Sequence, residues 1–254
     1  MGVIQGELFE KIADNNKIFY CHTHDVNNFF NSSVPKDEFV LISHNSDGKV
    51  VNGGVNFPNC NVDNIPSNLK RWFGQNVDCI DSRVESIPIG LENSKWFPET
   101  QKIEKLSKIV NTTKNIKNLV YLNLNISNNP PERQPIYDMM KDKHYVTTEY
   151  GRNGLSFDSY LDNLYNHKFM ICPEGNGIDV HQPWESLYVN TIPIQKKNTN
   201  NSNWRELPIC WLDDWSQMED ESFLNSEYER ISNGNFNKEK MYFSYWLEKI
   251  RKSI

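Results

Sequence analysis

The stretch that most constrains this chain runs from Lys168 to Ile194, KFMICPEGNGIDVHQPWESLYVNTIPI. Its pattern is strand, glycine loop, helix, strand. Lys168 to Cys172 is a short apolar run stopped by Pro173, and Glu174-Gly175-Asn176-Gly177 follows as a loop. Asp179 stands where a helix N-cap is wanted, because its carboxylate can accept from the first unpaired backbone N–H groups. Trp184, Leu187 and Tyr188 then recur at helical spacing, and Thr191 to Ile194 forms a second buried strand. A tight turn feeding a helix N-terminus offers unpaired donors and the positive end of a dipole, which suits phosphate or sugar hydroxyls. Glu185, one turn into that helix, puts a carboxylate beside the same crevice. The loop lacks the third glycine of the dinucleotide fingerprint and the lysine–hydroxyl pair of a P-loop. Taken alone, it is also what an ordinary βα turn looks like.

The chain around this stretch alternates apolar runs with amphipathic ones, which predicts an α/β fold. At 254 residues with 37% hydrophobic content it can hold one large domain or two small ones with real cores. We expect two Rossmann-like halves facing a cleft, residues 1–117 and 118–254. In the first, strands are expected at 18–21, 38–42 and 84–89. Helices are expected at 1–16, 66–76 and 98–113; Leu69, Trp72 and Phe73 share one face of the second. Residues 49–64, with Gly53-Gly54, read as a loop. In the second half, strands are expected at 118–125, 144–148, 168–172, 191–194 and 207–212. Helices there run through Met140, across 156–166 and 220–254, the last carrying Phe243, Trp246, Leu247 and Ile250 on one stripe. Two first-half strands end in polar clusters, His22-Thr23-His24-Asp25 and Ser43-His44-Asn45-Ser46-Asp47-Gly48. Open α/β sheets hold ligands outside such carboxyl ends.

A net charge of −6 argues against general binding to nucleic acid or an anionic membrane. No run approaches the ~20 apolar residues of a membrane span, and no signal-peptide pattern opens the chain. The five cysteines are widely spaced without metal-site spacing, as reduced thiols in a cytoplasmic setting would be.

The joined string Pro-Glu-Gly-Asn-Gly, Asp-x-His, Trp-Glu and Ile-Pro-Ile resembles the donor-binding segment of exostosin-like glycosyltransferases, including small viral and bacterial members. The similarity spans about Leu119 to about Trp215. Gln182 stands where that group has arginine after the histidine, and Asn190 where a glycine precedes the second strand. The resemblance implies a compact GT-B arrangement and transfer from a nucleoside-diphosphate sugar to a glycan hydroxyl. A UDP-sugar such as UDP-xylose is the implied donor, with inversion and with no metal or cofactor besides that co-substrate.

Such an enzyme must hold a ribose, neutralise a diphosphate and deprotonate an acceptor. Glu185 can accept from two vicinal ribose hydroxyls, and the resemblance places a glutamate there; a helix-stabilising surface glutamate is the alternative. Arg133, after the first strand of the second half, can fork onto two phosphate oxygens or sit in a surface ion pair. Lys196 and Arg152 are further cations. His181 can bond a phosphate or sugar hydroxyl, or serve as a structural histidine. Glu174 is a candidate for the transferred sugar, with Gly175, Asn176 and Gly177 allowing close backbone approach, and Tyr150 for the nucleobase. The base is expected from His44 and Asp47 or from His24 and Asp25, because histidine titrates near neutrality; strand-end hydrogen bonding is the alternative. His22 and His24 share one face and also suggest a metal pair without a third ligand. A binding module of the same fold without transfer is the competing reading. A nicotinamide oxidoreductase is disfavoured by the missing glycine.

Overall fold

The computed structural model describes residues 2–51, 65–96, 101–151 and 154–254. It contains two parallel sheets flanked by helices, in keeping with Rossmann-like halves. The first has four strands in the order β1 (Ile18–His22), β2 (Phe39–His44), β3 (Leu69–Gly74), β4 (Val84–Ser86). All its pairings are parallel. The second comprises β5 (Asn118–Asn123), β6 (Val146–Glu149), β7 (His167–Ile171), β8 (Ile192–Lys196) and β9 (Cys210–Leu212). Its order is β6-β5-β7-β8-β9, again all parallel. The strand order reverses between β5 and β7, and such a switch point opens a crevice at the carboxyl ends.

The segment expected to be helical at 66–76 is instead β3. Its Leu69, Trp72 and Phe73 fit a helical face, but a strand enclosed by neighbours in a parallel sheet is covered on both sides and loses its alternation. Trp72 and Phe73 are both fully buried, and Trp72 donates its indole N–H to Ser43 Oγ at 2.8 Å. The helix expected over 1–16 is limited to α1 (Gly6–Glu10). The segment between β1 and β2, which the sequence leaves as helical or irregular, forms α2 (Val26–Ser32), and the helix expected from residue 98 is described as α3 (Lys102–Ile109). The Gly53-Gly54 loop and residues 98–100 lie outside the described residues.

In the second half the helices are α4 (Pro130–Met140), α5 (Phe157–Tyr165), α6 (His181–Tyr188), α7 (Glu221–Ser232) and α8 (Phe243–Arg251). Pro130 and Pro131 begin α4, where missing N–H groups cost nothing. Ser156 caps α5 by accepting from Ser159 N. The stripe read on the last helix crosses back to the first sheet. Trp246 and Ile250 join Ile4, Phe9, Val40, Ile42 and Phe73 in one cluster, which also takes in Trp184 and Leu187 of α6. The two sheets therefore share an apolar seam. Tyr188 reinforces it by donating to Met241 O at 2.6 Å while accepting from Ile4 N at 3.0 Å. Among the described residues, no helix is long and apolar enough to cross a membrane.

Candidate functional site

A pocket of about 580 Å³ opens at the switch point of the second sheet. Its walls come from both halves: Asn123, Asn125 and Arg133 after β5, the Gly175–Gly177 turn after β7, and Asp47 and Ile89 from the first half. That volume lies within the usual range for small-molecule sites.

The glycine turn sits over Arg133. A Cβ on Gly175 would meet Arg133 Nη2 at 2.9 Å, and one on Gly177 would meet Asn76 Nδ2 at 2.7 Å. A side chain at either position would have to displace the hydrogen-bonded Arg133 or Asn76 side chain. Among the described residues the amides of Asn176 and Gly177 have no internal acceptor, whereas Gly175 N donates to Gly177 O at 2.9 Å. Arg133 is 4% exposed and donates to Glu174 O at 2.8 Å and Asn125 O at 2.9 Å, with a longer reach to Pro173 O. No carboxylate pairs with it among the described residues. A buried guanidinium with five donors, bonded to carbonyls alone, leaves its charge to whatever fills the pocket.

Glu185 is 2% exposed and lies in the pocket wall. Its oxygens take Lys102 Nζ at 3.2 Å and Tyr160 Oη at 2.7 Å, and Lys102 also reaches Glu92 at 2.8 Å. Burial and the adjacent Glu185 hold the Tyr160 hydroxyl in its protonated, donating form. Lys102 and Tyr160 escaped sequence reading. The one signal for Lys102 was its place in a helix's first turn, where the dipole disfavours a cation.

Asp179 does not cap α6. Val180 is the N-cap, without a side-chain bond. The Asp179 carboxylate instead accepts from Ile89 N at 2.7 Å across the seam, from Val180 N at 3.0 Å, and from the Trp184 indole at 3.0 Å. Burial pushes its pKa up to about 7. Gln182, at the position where the resemblance has arginine, donates to Asn123 O at 2.8 Å and so ties α6 to β5. Asn190 adopts φ 56°, the left-handed conformation a glycine would take there.

The first-half candidates separate. His44 is 1% exposed, and both ring nitrogens are spent: Nδ1 accepts from Asn45 N at 2.7 Å, so Nε2–H donates to Pro88 O at 3.0 Å. Burial holds its pKa down to about 4. With both nitrogens committed, the structure does not bring His44 to the pocket wall where a base is expected. Asp47 is exposed at the pocket rim and accepts from Asn176 Nδ2 at 3.3 Å, opposite the glycine turn. His24 stacks on His22, bonds Ser46 Oγ at 2.9 Å and approaches Asp25 at 3.6 Å. His24 lines an adjoining hollow rather than the main pocket. Among the described residues no group of three metal-ligating side chains converges.

Three other donor-side candidates are displaced. The Glu174 carboxylate turns to Asn198 Nδ2 at 3.1 Å, leaving only its backbone beside Arg133. Its pKa is raised by burial, with Glu132 adding to the effect. Lys196 ends β8 outside the pocket wall, and Tyr150 packs edge-on to Tyr137 while Gly151 lines the pocket instead. Arg152 lies outside the described residues. His181 does reach the pocket: its Nδ1–H donates to Gly90 O at 2.7 Å.

Pro88, Ile89 and Gly90 thus form a strap whose three successive residues are held by His44, Asp179 and His181 respectively. Gly90 has φ 68°, and a Cβ there would stand 2.4 Å from Ile4 O, so glycine is required. No family model matches the sequence, and a search of curated proteins finds no significant match.

Proposed function

We propose that the chain is a glycosyltransferase of compact GT-B arrangement that moves a sugar from a nucleoside-diphosphate donor to a glycan hydroxyl. The donor is a UDP-sugar such as UDP-xylose, and transfer is inverting and metal-independent. The observation that carries this reading is Arg133, a buried guanidinium with no carboxylate partner among the described residues, beneath a glycine turn at the switch point of a parallel sheet. The exostosin-like resemblance of residues 119–215 covers the same elements. Diphosphate oxygens fit against the Asn176 and Gly177 amides, the first turn of α6 and the Arg133 fork. Charge building on the leaving group is met by donors already in place, which is where such sites gain most of their rate. Glu185, held by Lys102 and Tyr160 in the pocket wall, is the carboxylate placed to meet ribose hydroxyls. Acceptor attack comes from the first half, across the rim at Asp47.

The commitment of Glu185 to two protein partners favours a second reading, a nucleotide- or glycan-binding module without turnover. Calorimetric titration with UDP and UDP release from UDP-xylose, UDP-galactose and UDP-glucuronic acid separate the two. We expect UDP binding and slow release from one donor, with release abolished in Glu185→Ala and its UDP affinity about tenfold weaker. Binding without release from any donor selects the module. Absence of UDP binding sinks both readings.

A further inference from the structure

We propose that His181 is the general base of the transfer reaction, acting through Nε2 from the second half of the molecule. This rests on the glycosyltransferase reading above. His181 lines both the main pocket and an adjoining hollow of about 300 Å³. Among the described residues, the others shared by the two walls are Asp47, Ile89 and Glu92. Ile89 has no basic group, and Glu92 is tied to Lys102 at 2.8 Å. Asp47 stands exposed at the rim and accepts from Asn176 Nδ2 at 3.3 Å. His181 differs in being prepared. Its Nδ1–H is fixed on Gly90 O, which leaves Nε2 as the acceptor nitrogen of the neutral ring, and among the described residues Nε2 has no protein partner. Gly90 cannot drift, because the strap is also pinned at Pro88 by His44 and at Ile89 by Asp179. A carbonyl behind Nδ1 also stabilises the imidazolium once a proton arrives.

The hollow has the chemistry of a saccharide subsite. Trp96 is 64% exposed on its wall, beside Asn45, Asn93 and His24. An exposed indole accepts the C–H face of a pyranose, and Asn45 and Asn93, bonded to each other at 2.9 Å, form a fixed polar floor beside it. An acceptor lying there presents a hydroxyl at the border where His181 stands. The acceptor O–H bond breaks, its proton passes to Nε2, and the oxygen lone pair bonds to the anomeric carbon of the donor. The bond from that carbon to the phosphate oxygen breaks, and its electron pair leaves on the nucleoside diphosphate. His181 later returns its proton to solvent.

The test measures UDP affinity by calorimetry and UDP release with water as acceptor, using the donor that the wild type turns over. His181→Gln keeps a donor for Gly90 O but lacks the base. We expect unchanged UDP affinity with release lowered about 100-fold. In His181→Ala, added imidazole restores part of the release, which a misfolded protein would not allow. Asp47→Asn is expected to fall less than His181→Gln. Release retained in His181→Gln, loss of release and UDP affinity together, or a larger fall in Asp47→Asn overturns the assignment. A wild type that releases UDP from no donor instead removes the glycosyltransferase reading on which it stands.

Discussion

Replacing Arg133 with methionine is expected to remove measurable UDP binding and to destabilise the fold by about 2–4 kcal/mol. The two effects have separate causes. The guanidinium bonds Glu174 O and Asn125 O at 2.8 and 2.9 Å, and so stitches the loop after β7 to the loop after β5. Methionine fills the space but leaves those carbonyls without their donors, and a buried unsatisfied acceptor costs about 1–3 kcal/mol. Loss of the positive charge acts on the ligand, where truncating one member of a buried charged pair costs roughly 2–5 kcal/mol, on the order of 100-fold or more in affinity. Arg133→Lys tells the effects apart. An ammonium keeps the charge but cannot span both loops, so we expect partial recovery of UDP affinity with little recovery of stability. Urea melts and calorimetry with UDP measure the two quantities. A folded Arg133→Met protein that binds UDP as the wild type does would move the diphosphate site elsewhere, with Lys102 the other buried cation among the described wall residues.

What was legible in the sequence was local. The glycine turn, α6 and the two strands around it are consecutive, so turn chemistry and hydrophobic period define them without knowledge of the rest. Asn190 illustrates how a departure in sequence can be silent in structure: its φ of 56° keeps the turn that glycine would make. What was hidden depended on which distant segments meet. Lys102 and Tyr160 reach Glu185 across 83 and 25 residues of chain, and their neighbours show only amphipathic stripes. His44 and His181 both stand beside polar turns, and sequence cannot tell that one is sealed by Phe9 and the strap while the other faces a pocket. By sequence Asp179 fits a cap, because capping is the commonest local use of an aspartate before a helix. Its partner, Ile89 N, is 90 residues away. The misread β3 has the opposite cause, a local pattern that fitted a helix and was overruled by burial on both faces.

The strap also makes the protein's stability respond to pH in two opposing ways, and single substitutions should separate them. Burial raises Asp179 from 3.8 to about 7, so the folded chain keeps a proton that the unfolded chain has released. Its contribution therefore falls as pH rises from about 4 to about 7. Burial lowers His44 from 6.5 to about 4, so the unfolded chain gains a proton first. That contribution is lost as pH falls from about 6.5 towards 4. The two windows overlap, and the wild type should change little across them from this pair. Asp179→Asn removes one side, and its stability relative to wild type should rise with pH by about 2–3 kcal/mol between pH 4.5 and 6.5. His44→Gln should show the reverse difference over the same interval. Acids held low by surface partners, such as Asp14 and Asp81, titrate alike in all three proteins and cancel in the differences. Urea denaturation at pH 4.5, 5.5 and 6.5 measures the curves. Because Pro88 and Ile89 lead directly into Gly90, whatever loosens either anchor also frees the carbonyl that orients His181. Flat difference curves for both variants would mean that neither side chain is sealed at the seam in solution, and the strap would then not hold that histidine in place.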